Sequence, residues 1–288
     1  LSFGTAGCNL ACKFCQNWDI SKSRDMDRLM DTASPEAIAR AARHHGCRSV
    51  AFTYNDPVIF VEYAIDTATA CHAQGLKTVA VTAGYIHGQG RKDFFAAVDA
   101  ANVDLKAFSE DFYFKLTGAH LAPVLDTLVW LRHETEVWVE ITTLLIPGEN
   151  DSDEEIAALS RWVMAELGPD VPVHFTAFHP DFKLKGHPPT PLATVRRARR
   201  IALEAGLHHV YTGNVRDPEG ATTWCAGCGQ ALIVRDGYRL LDYQLDGKGA
   251  CPTCGTHLAG HFDAHPGDFG NRRIPVFIGD HAAGTDEV

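Results

Sequence analysis

Nowhere in the chain do apolar residues run for the roughly 20 positions that a membrane-crossing helix requires, so the sequence offers no such helix. Its first residues, from Leu1, lack the basic segment, apolar run and small-residue cleavage site of a secretory signal. A cytoplasmic location is therefore expected, although Leu1 need not be the native start. An excess of positive charge is also missing: 26 Lys and Arg face 36 Asp and Glu, for a net charge of −10. That balance argues against nucleic acid and anionic lipid as partners. Internal repeats and low-complexity tracts are absent, and 45% hydrophobic with 22% charged residues is the composition of a folded globular protein. The nine cysteines are odd in number and seven fall into close clusters, which points to metal ligation more than to disulfides. Cys47 and Cys71 are left over and read as inert, buried thiols. The most telling absence is local. In "GCNLACKFCQNW", Cys8, Cys12 and Cys15 fall within eight positions, and no fourth cysteine is near.

What is present is a regular alternation. The 288 residues have room for one large α/β domain with an appendage. Candidate strands are residues 1–3, 49–53, 78–82, 102–105, 137–144, 173–178 and, more weakly, 209–211, with helical stretches between them. Ser34-Pro35 and Thr190-Pro191 read as helix N-caps followed by proline, Ser152 with Glu155 as a capping box, and Gly46, Gly75 and Gly206 as helix stops. The basic run Arg196–Arg200 reads as a solvated helix face. Strands separated by helices imply parallel pairing, and six or so units predict an open or closed β/α barrel. Its functional residues should then gather at the C-terminal ends of the strands. The cysteine cluster, Asn55-Asp56-Pro57, Ala83-Gly84-Tyr85, Asp104-Leu105-Lys106, residues 146–150 and His179-Pro180-Asp181 all fall at that rim. After Tyr211 the pattern changes to turns and short strands, with a boundary near Asp217-Pro218-Glu219-Gly220. The expected units are residues 1–216 and 217–288.

Three thiolates can hold three corners of a 4Fe-4S cluster and leave the fourth iron open, as a metal centre that binds substrate requires. The alternatives are a zinc site borrowing a ligand such as His44, or unconnected thiols. In the second unit, Cys225-x2-Cys228 and Cys251-x2-Cys254, each pair followed by glycine, suit the two knuckles of a zinc ribbon, four thiolates around one tetrahedral ion. A second iron–sulfur cluster or a single iron competes with zinc there.

CxxxCxxC with an aromatic residue before the last cysteine resembles the signature of the radical S-adenosylmethionine superfamily. The wider run "GTAGCNLACKFCQNWDIS", with "FTYNDP", "VTAGYI", "VDLKAF", "TTLLIPGENDS" and "FTAFHPDFK" in order, is similar to the radical enzyme of the AmmeMemoRadiSam system. That group is related to pyruvate formate-lyase activating enzymes. The resemblance implies a partial (β/α)6-type barrel, a 4Fe-4S cluster on Cys8, Cys12 and Cys15, and S-adenosylmethionine chelated to the open iron. It also implies reductive cleavage to a 5′-deoxyadenosyl radical that removes hydrogen from a substrate. A one-electron reductant such as a flavodoxin or ferredoxin is the implied partner, along with a protein substrate or other members of the AmmeMemoRadiSam system.

The resemblance carries residue roles as well. Asp56 stands where this group usually has a glutamate that receives the ligand's ammonium, and Asn55 could share the task; an Asx-Pro turn is the structural alternative. Asp104 and Lys106 flank Leu105 and emerge on one face. The resemblance puts them on S-adenosylmethionine, while a structural ion pair remains the other reading. Gly84, in Thr82-Ala83-Gly84 where related activases have Thr-Asn-Gly, allows close backbone approach. His179 matches a histidine near the cofactor and is otherwise a structural histidine. Members of the group often carry a cysteine-bearing stretch ahead of the barrel, while this chain begins almost inside strand one, so either a truncated N-terminus or a shorter form is expected. Two other readings stand beside this one: an activase that makes a glycyl radical on a partner protein, and a non-enzymatic iron–sulfur or ribbon protein.

Overall fold

The computed structural model describes residues 1–22, 32–267 and 269–281; residues 282–288 of the expected second unit lie outside these. Seven parallel strands, β1 (Ser2–Phe3), β2 (Ser49–Phe52), β3 (Lys77–Thr82), β4 (Ala100–Asp104), β5 (Trp138–Leu145), β6 (Val173–Ala177) and β7 (Val210–Gly213), stand side by side in chain order. β1 pairs with β2 and β7 with β6, and the two edge strands do not pair with each other. The sheet is therefore an open, partial barrel, and the weakest of the candidate strands completes it. The connecting helices are α1 (Trp18–Ser21), α2 (Pro35–His44), α3 (Val61–Ala73), α4 (Gly88–Ala96), α5 (Glu110–Phe112), α6 (Leu121–Glu134), α7 (Asp153–Glu166), α8 (Leu192–Glu204) and α9 (Pro218–Ala221). Among the described residues no helix is long and apolar enough to cross a membrane.

The strands alternate strictly, because successive side chains point to opposite faces. Along β5, half-buried and buried residues take turns through all eight positions. Val139, Ile141 and Leu145 join Val103 and Phe175 in the main core, while Trp138, Glu140 and Thr142 line the hollow face.

Helix punctuation follows the sequence with two exceptions. Ser34 accepts the Ala37 amide and Pro35 opens α2. Thr190 does not cap α8. Its hydroxyl donates to the Leu145 carbonyl and accepts the Phe178 amide, because this buried turn needs its polar groups satisfied first. Ser152 caps α7, but the Glu155 carboxylate accepts the Phe108 amide instead of closing the box. The basic run of α8 is also more than a solvated face. Arg196 pairs with buried Asp217, Arg197 with Asp153, and Arg199 reaches the Val210 carbonyl. The Asp217 stretch is thereby anchored to α8 and β7 and does not hang as a free linker.

Beyond it lies a second, antiparallel sheet of β8 (Thr223–Trp224), β9 (Ala231–Asp236) and β10 (Arg239–Tyr243), with a small core of its own around Leu232, Ile233 and Leu258. The C-terminal segment then turns back beneath the barrel. His261 meets Trp138 edge-on, Asp263 pairs with Arg48, Ile278 joins the main core, and Arg40 donates to the His281 carbonyl at 2.8 Å.

Candidate active site and metal centre

The loop after β1 carries Cys8, Cys12 and Cys15, and it is pinned along its whole length. Asn55, buried in the loop after β2, accepts the Thr5 amide at 3.1 Å and donates to the Gly7 carbonyl at 2.7 Å. Ala11 and Lys13 donate their amides to the carbonyls of Thr117 and Leu116, each at 2.8 Å. Leu10 and Phe14 are buried, the latter against Phe112. The aromatic residue before the last cysteine is therefore a packing anchor. Cys15 Sγ lies 3.0 Å from the Ser21 hydroxyl. Cys12 is buried, which pushes its thiol up to about 11 against the pull of Lys106; a thiol so placed deprotonates when it gains a cation.

The rim loops converge on this segment. His179 and Gln16 hydrogen-bond at 2.6 Å, and Asp181 accepts from the Trp18 indole at 3.0 Å while Trp18 stacks on Phe182. Asp104 and Lys106 form a 2.6 Å ion pair. Burial works against the Lys106 ammonium, but the charges of Asp104 and Cys12 outweigh it and raise its pKa. The turn that presents Lys106 is held by Tyr113, whose hydroxyl accepts the Lys106 amide, and by Asn150, which donates to the Lys106 carbonyl. Asp56 is fully buried. Its carboxylate accepts the amides of Val58 and Ala83 and the hydroxyl of Thr82, so the Asx-Pro turn is formed. Burial nonetheless raises its pKa. Among the described residues it forms no ion pair, and the nearby Lys106 charge only partly offsets its burial. Gly84 has φ of 65°, and a Cβ there would lie 2.9 Å from Val103, so the strand's close packing alone demands glycine.

All the residues the sequence suggested around the first cysteines thus lie on the rim, and Asn55, Asp56 and His179 are engaged with the protein itself. Gln16, Trp18, Tyr113 and Asn150 were not singled out. Gln16, Trp18 and Asn150 had membership in the motif segments "CQNW" and "LLIPGEND" as their signal, and Tyr113 lay in neither. His44 packs against His45 and His281 at the end of α2, away from the cysteine loop's contacts.

The two CxxC pairs form matched turns. The amides of Gly229 and Gly255 each donate to the carbonyl of the first cysteine of the pair at 2.9 Å, and both glycines have positive φ. The sulfurs of Cys225, Cys228, Cys251 and Cys254 all lie within 4.8 Å of one another. A tetrahedral ion bound at about 2.3 Å sets sulfurs about 3.8 Å apart, so one ion fits between them. Among the described residues, Cys8, Cys12 and Cys15 form no such single-ion group.

The family profile described as the Radical SAM superfamily matches residues 3–160, more than half of the chain, and this protein belongs to that superfamily. It is an enzyme of the radical SAM class, which sets aside the non-enzymatic reading, and its family implies a 4Fe-4S cluster and S-adenosylmethionine. An uncharacterized protein of Methanocaldococcus jannaschii is 38% identical over 260 residues, spanning 90% of this chain and 77% of that one. The pyruvate formate-lyase-activating enzyme of Listeria monocytogenes is 26% identical over 168 residues, 54% of this chain and 66% of the enzyme. In fold, the chain is similar to a domain of the pyruvate-formate lyase-activating enzyme of Bacteroides vulgatus (TM-score 0.51, 16% identity, covering 58% of this chain and 99% of that domain). It is also similar to Streptococcus suis SuiB bound to its precursor peptide SuiA (TM-score 0.59, 16% identity, covering 74% of this chain and 48% of SuiB).

Proposed function

We propose that Cys8, Cys12 and Cys15 hold three irons of a 4Fe-4S cluster and that S-adenosylmethionine completes the fourth. On this reading the enzyme removes a hydrogen atom from its substrate through a 5′-deoxyadenosyl radical. The observation that supports this best is the meeting of the pinned cysteine loop with the Asp104–Lys106 pair, whose ammonium lies within the electrostatic reach of Cys12. The cluster supplies the electron that breaks the sulfonium bond; the protein supplies position and exclusion of water.

Each residue then has a task of its own. Asp56, buried and without an ion pair among the described residues, receives the ammonium of the methionine moiety. Lys106 faces its carboxylate and Asp104 a ribose hydroxyl, while Gly84 lets the backbone come close. Asn55 positions the cysteine loop, and His179 closes the rim through Gln16. The four sulfurs of the second sheet hold a structural zinc ion. That sheet belongs to a second, ribbon-like unit that we assign to residues 217–288, with the barrel unit assigned to residues 1–216. A flavodoxin- or ferredoxin-type donor delivers the electron in the cytoplasm. The activating-enzyme relatives favour a second reading, an activase that generates a glycyl radical on a partner protein.

Anaerobic reconstitution with iron and sulfide, followed by dithionite and S-adenosylmethionine, is expected to yield 5′-deoxyadenosine. Cys12→Ala should lose both the iron and the product. A cluster-loaded sample that forms no 5′-deoxyadenosine refutes the reading, as does product formation by the variant.

A further inference from the structure

The short helix α1 folds back on the loop it follows. The Ser21 amide donates to the Asn17 carbonyl at 2.9 Å, and the Ile20 carbonyl accepts the Gly7 amide at 3.2 Å, so the end of α1 is tied to the residue before Cys8. Lys22 Nζ donates to the Leu10 carbonyl at 2.6 Å, a second tie to the same loop. Between these ties Ser21 is only 4% exposed, and its hydroxyl oxygen lies 3.0 Å from Cys15 Sγ.

The three sulfurs of the loop are not alike. Cys8 Sγ faces the Asn9 amide oxygen at 3.8 Å, an orientation fixed by Asn9 Nδ2, which donates to the Tyr85 carbonyl at 3.2 Å. An amide oxygen only accepts, so it offers a thiolate nothing. Cys12 feels the charges of Lys106 and Lys22 but has no hydrogen bond to its sulfur among the described residues. There the Ser21 hydroxyl is the one hydrogen-bond donor on any of the three sulfurs, and that hydroxyl has no other partner. In the free protein either atom of the pair can donate. A ligating sulfur is a thiolate with no proton to give, so in the loaded protein the hydroxyl must be the donor.

We propose that Ser21 is a positioning residue for the redox step: its hydroxyl donates to the Cys15 ligand sulfur and raises the reduction potential of the centre. This rests on the 4Fe-4S reading above and adds to it the side chain that sets how readily the electron enters. One-electron reduction adds negative charge that spreads onto the ligand sulfurs. A donor aimed at one of them therefore stabilises the reduced form more than the oxidised one. Two features strengthen the contact. Its acceptor is ionised, which roughly doubles a neutral hydrogen bond, and Ser21 is buried, so water does not compete for the hydroxyl.

Two pairs of chains isolate the hydroxyl: the parent against Ser21→Ala, and Ser21→Thr against its shape twin Ser21→Val. Each full chain is reconstituted anaerobically with iron and sulfide and its iron is counted. Its midpoint potential is then read by dithionite titration followed by electron paramagnetic resonance, without S-adenosylmethionine. All four chains are expected to hold the same iron. Ser21→Ala and Ser21→Val should show a reduced-to-oxidised ratio about tenfold lower than their hydroxyl-bearing partners at the same applied potential, a shift of about 59 mV to the negative side for one electron. A parent that takes up no 4Fe-4S cluster refutes the reading above, and this one with it. Loaded chains with equal potentials within both pairs overturn the Ser21 assignment alone. So does a negative shift shared by Ser21→Thr and Ser21→Ala, which packing would cause, and so does loss of iron from both hydroxyl-free variants, which would make the hydroxyl a loading contact.

Discussion

A Cβ added at Gly4 would lie 2.3 Å from the Thr53 carbonyl oxygen and 2.5 Å from Asn55 Oδ1. Neither atom can retreat, because the first is backbone and the second clamps Thr5. Gly4→Ala is therefore expected to destabilise the chain by about 2–3 kcal/mol and to loosen the segment that presents Cys8. Urea unfolding and iron content after reconstitution check this; a variant with the parent's midpoint and iron would contradict it. The thiols could be read from spacing, since three cysteines in eight positions are their own signal. The clamp could not, because Asn55 and Gly4 are some 50 positions apart and glycine and asparagine serve many kinds of loop. His179 shows the same limit: its place at a strand end was legible, its partner Gln16 was not.

Asp99, in the turn before β4, joins three elements. It accepts from the Thr78 amide at 2.8 Å in β3, from Lys77 at 2.6 Å, and pairs with His72 of α3 at 2.8 Å. Partial burial alone would push its carboxyl up, but these hydrogen bonds, with Lys77 the strongest, bring it down to about 2. A depressed carboxylate stabilises the fold above its unfolded pKa, about 3.9, and that contribution disappears as pH falls from about 4 to about 2. Asp99→Asn should cost about 1–2 kcal/mol at pH 7, discounted for the exposed lysine, with the two proteins converging near pH 2. Urea midpoints measured between these pH values check it, and a gap that persists unchanged at pH 2 would refute it. The elements themselves were largely legible. Alternation over four to eight residues with glycines after the helices placed all seven strands within two residues of where they lie. Thr190 and Glu155 departed from their expected capping roles because neighbouring buried amides and carbonyls competed for the same side chains.

At the scale of the whole molecule, two metal sites of different character predict separable occupancies. Replacing Cys8, Cys12 and Cys15 together should remove iron and leave about one zinc per chain, since a closed four-thiolate site binds on its own. Cys251→Ser should do the reverse and expose the small core around Leu232 and Ile233. Parallel iron and zinc analysis of both variants is the check, and loss of both metals together in either would show that the sites are not independent. By itself the sequence determined the alternating barrel, the rim on which its polar motifs fall, and two cysteine groups of different spacing. These depend on near neighbours in the chain: strand period, helix caps and ligand spacing. Only the tertiary structure decided that Glu140 meets His174 and that His174 stacks on Tyr211, beside a cavity bordered by the C-terminal unit. The physical reason is register. Which residues of separate parallel strands stand level is fixed by backbone hydrogen bonds between segments 30 or more residues apart, and no local pattern encodes that alignment.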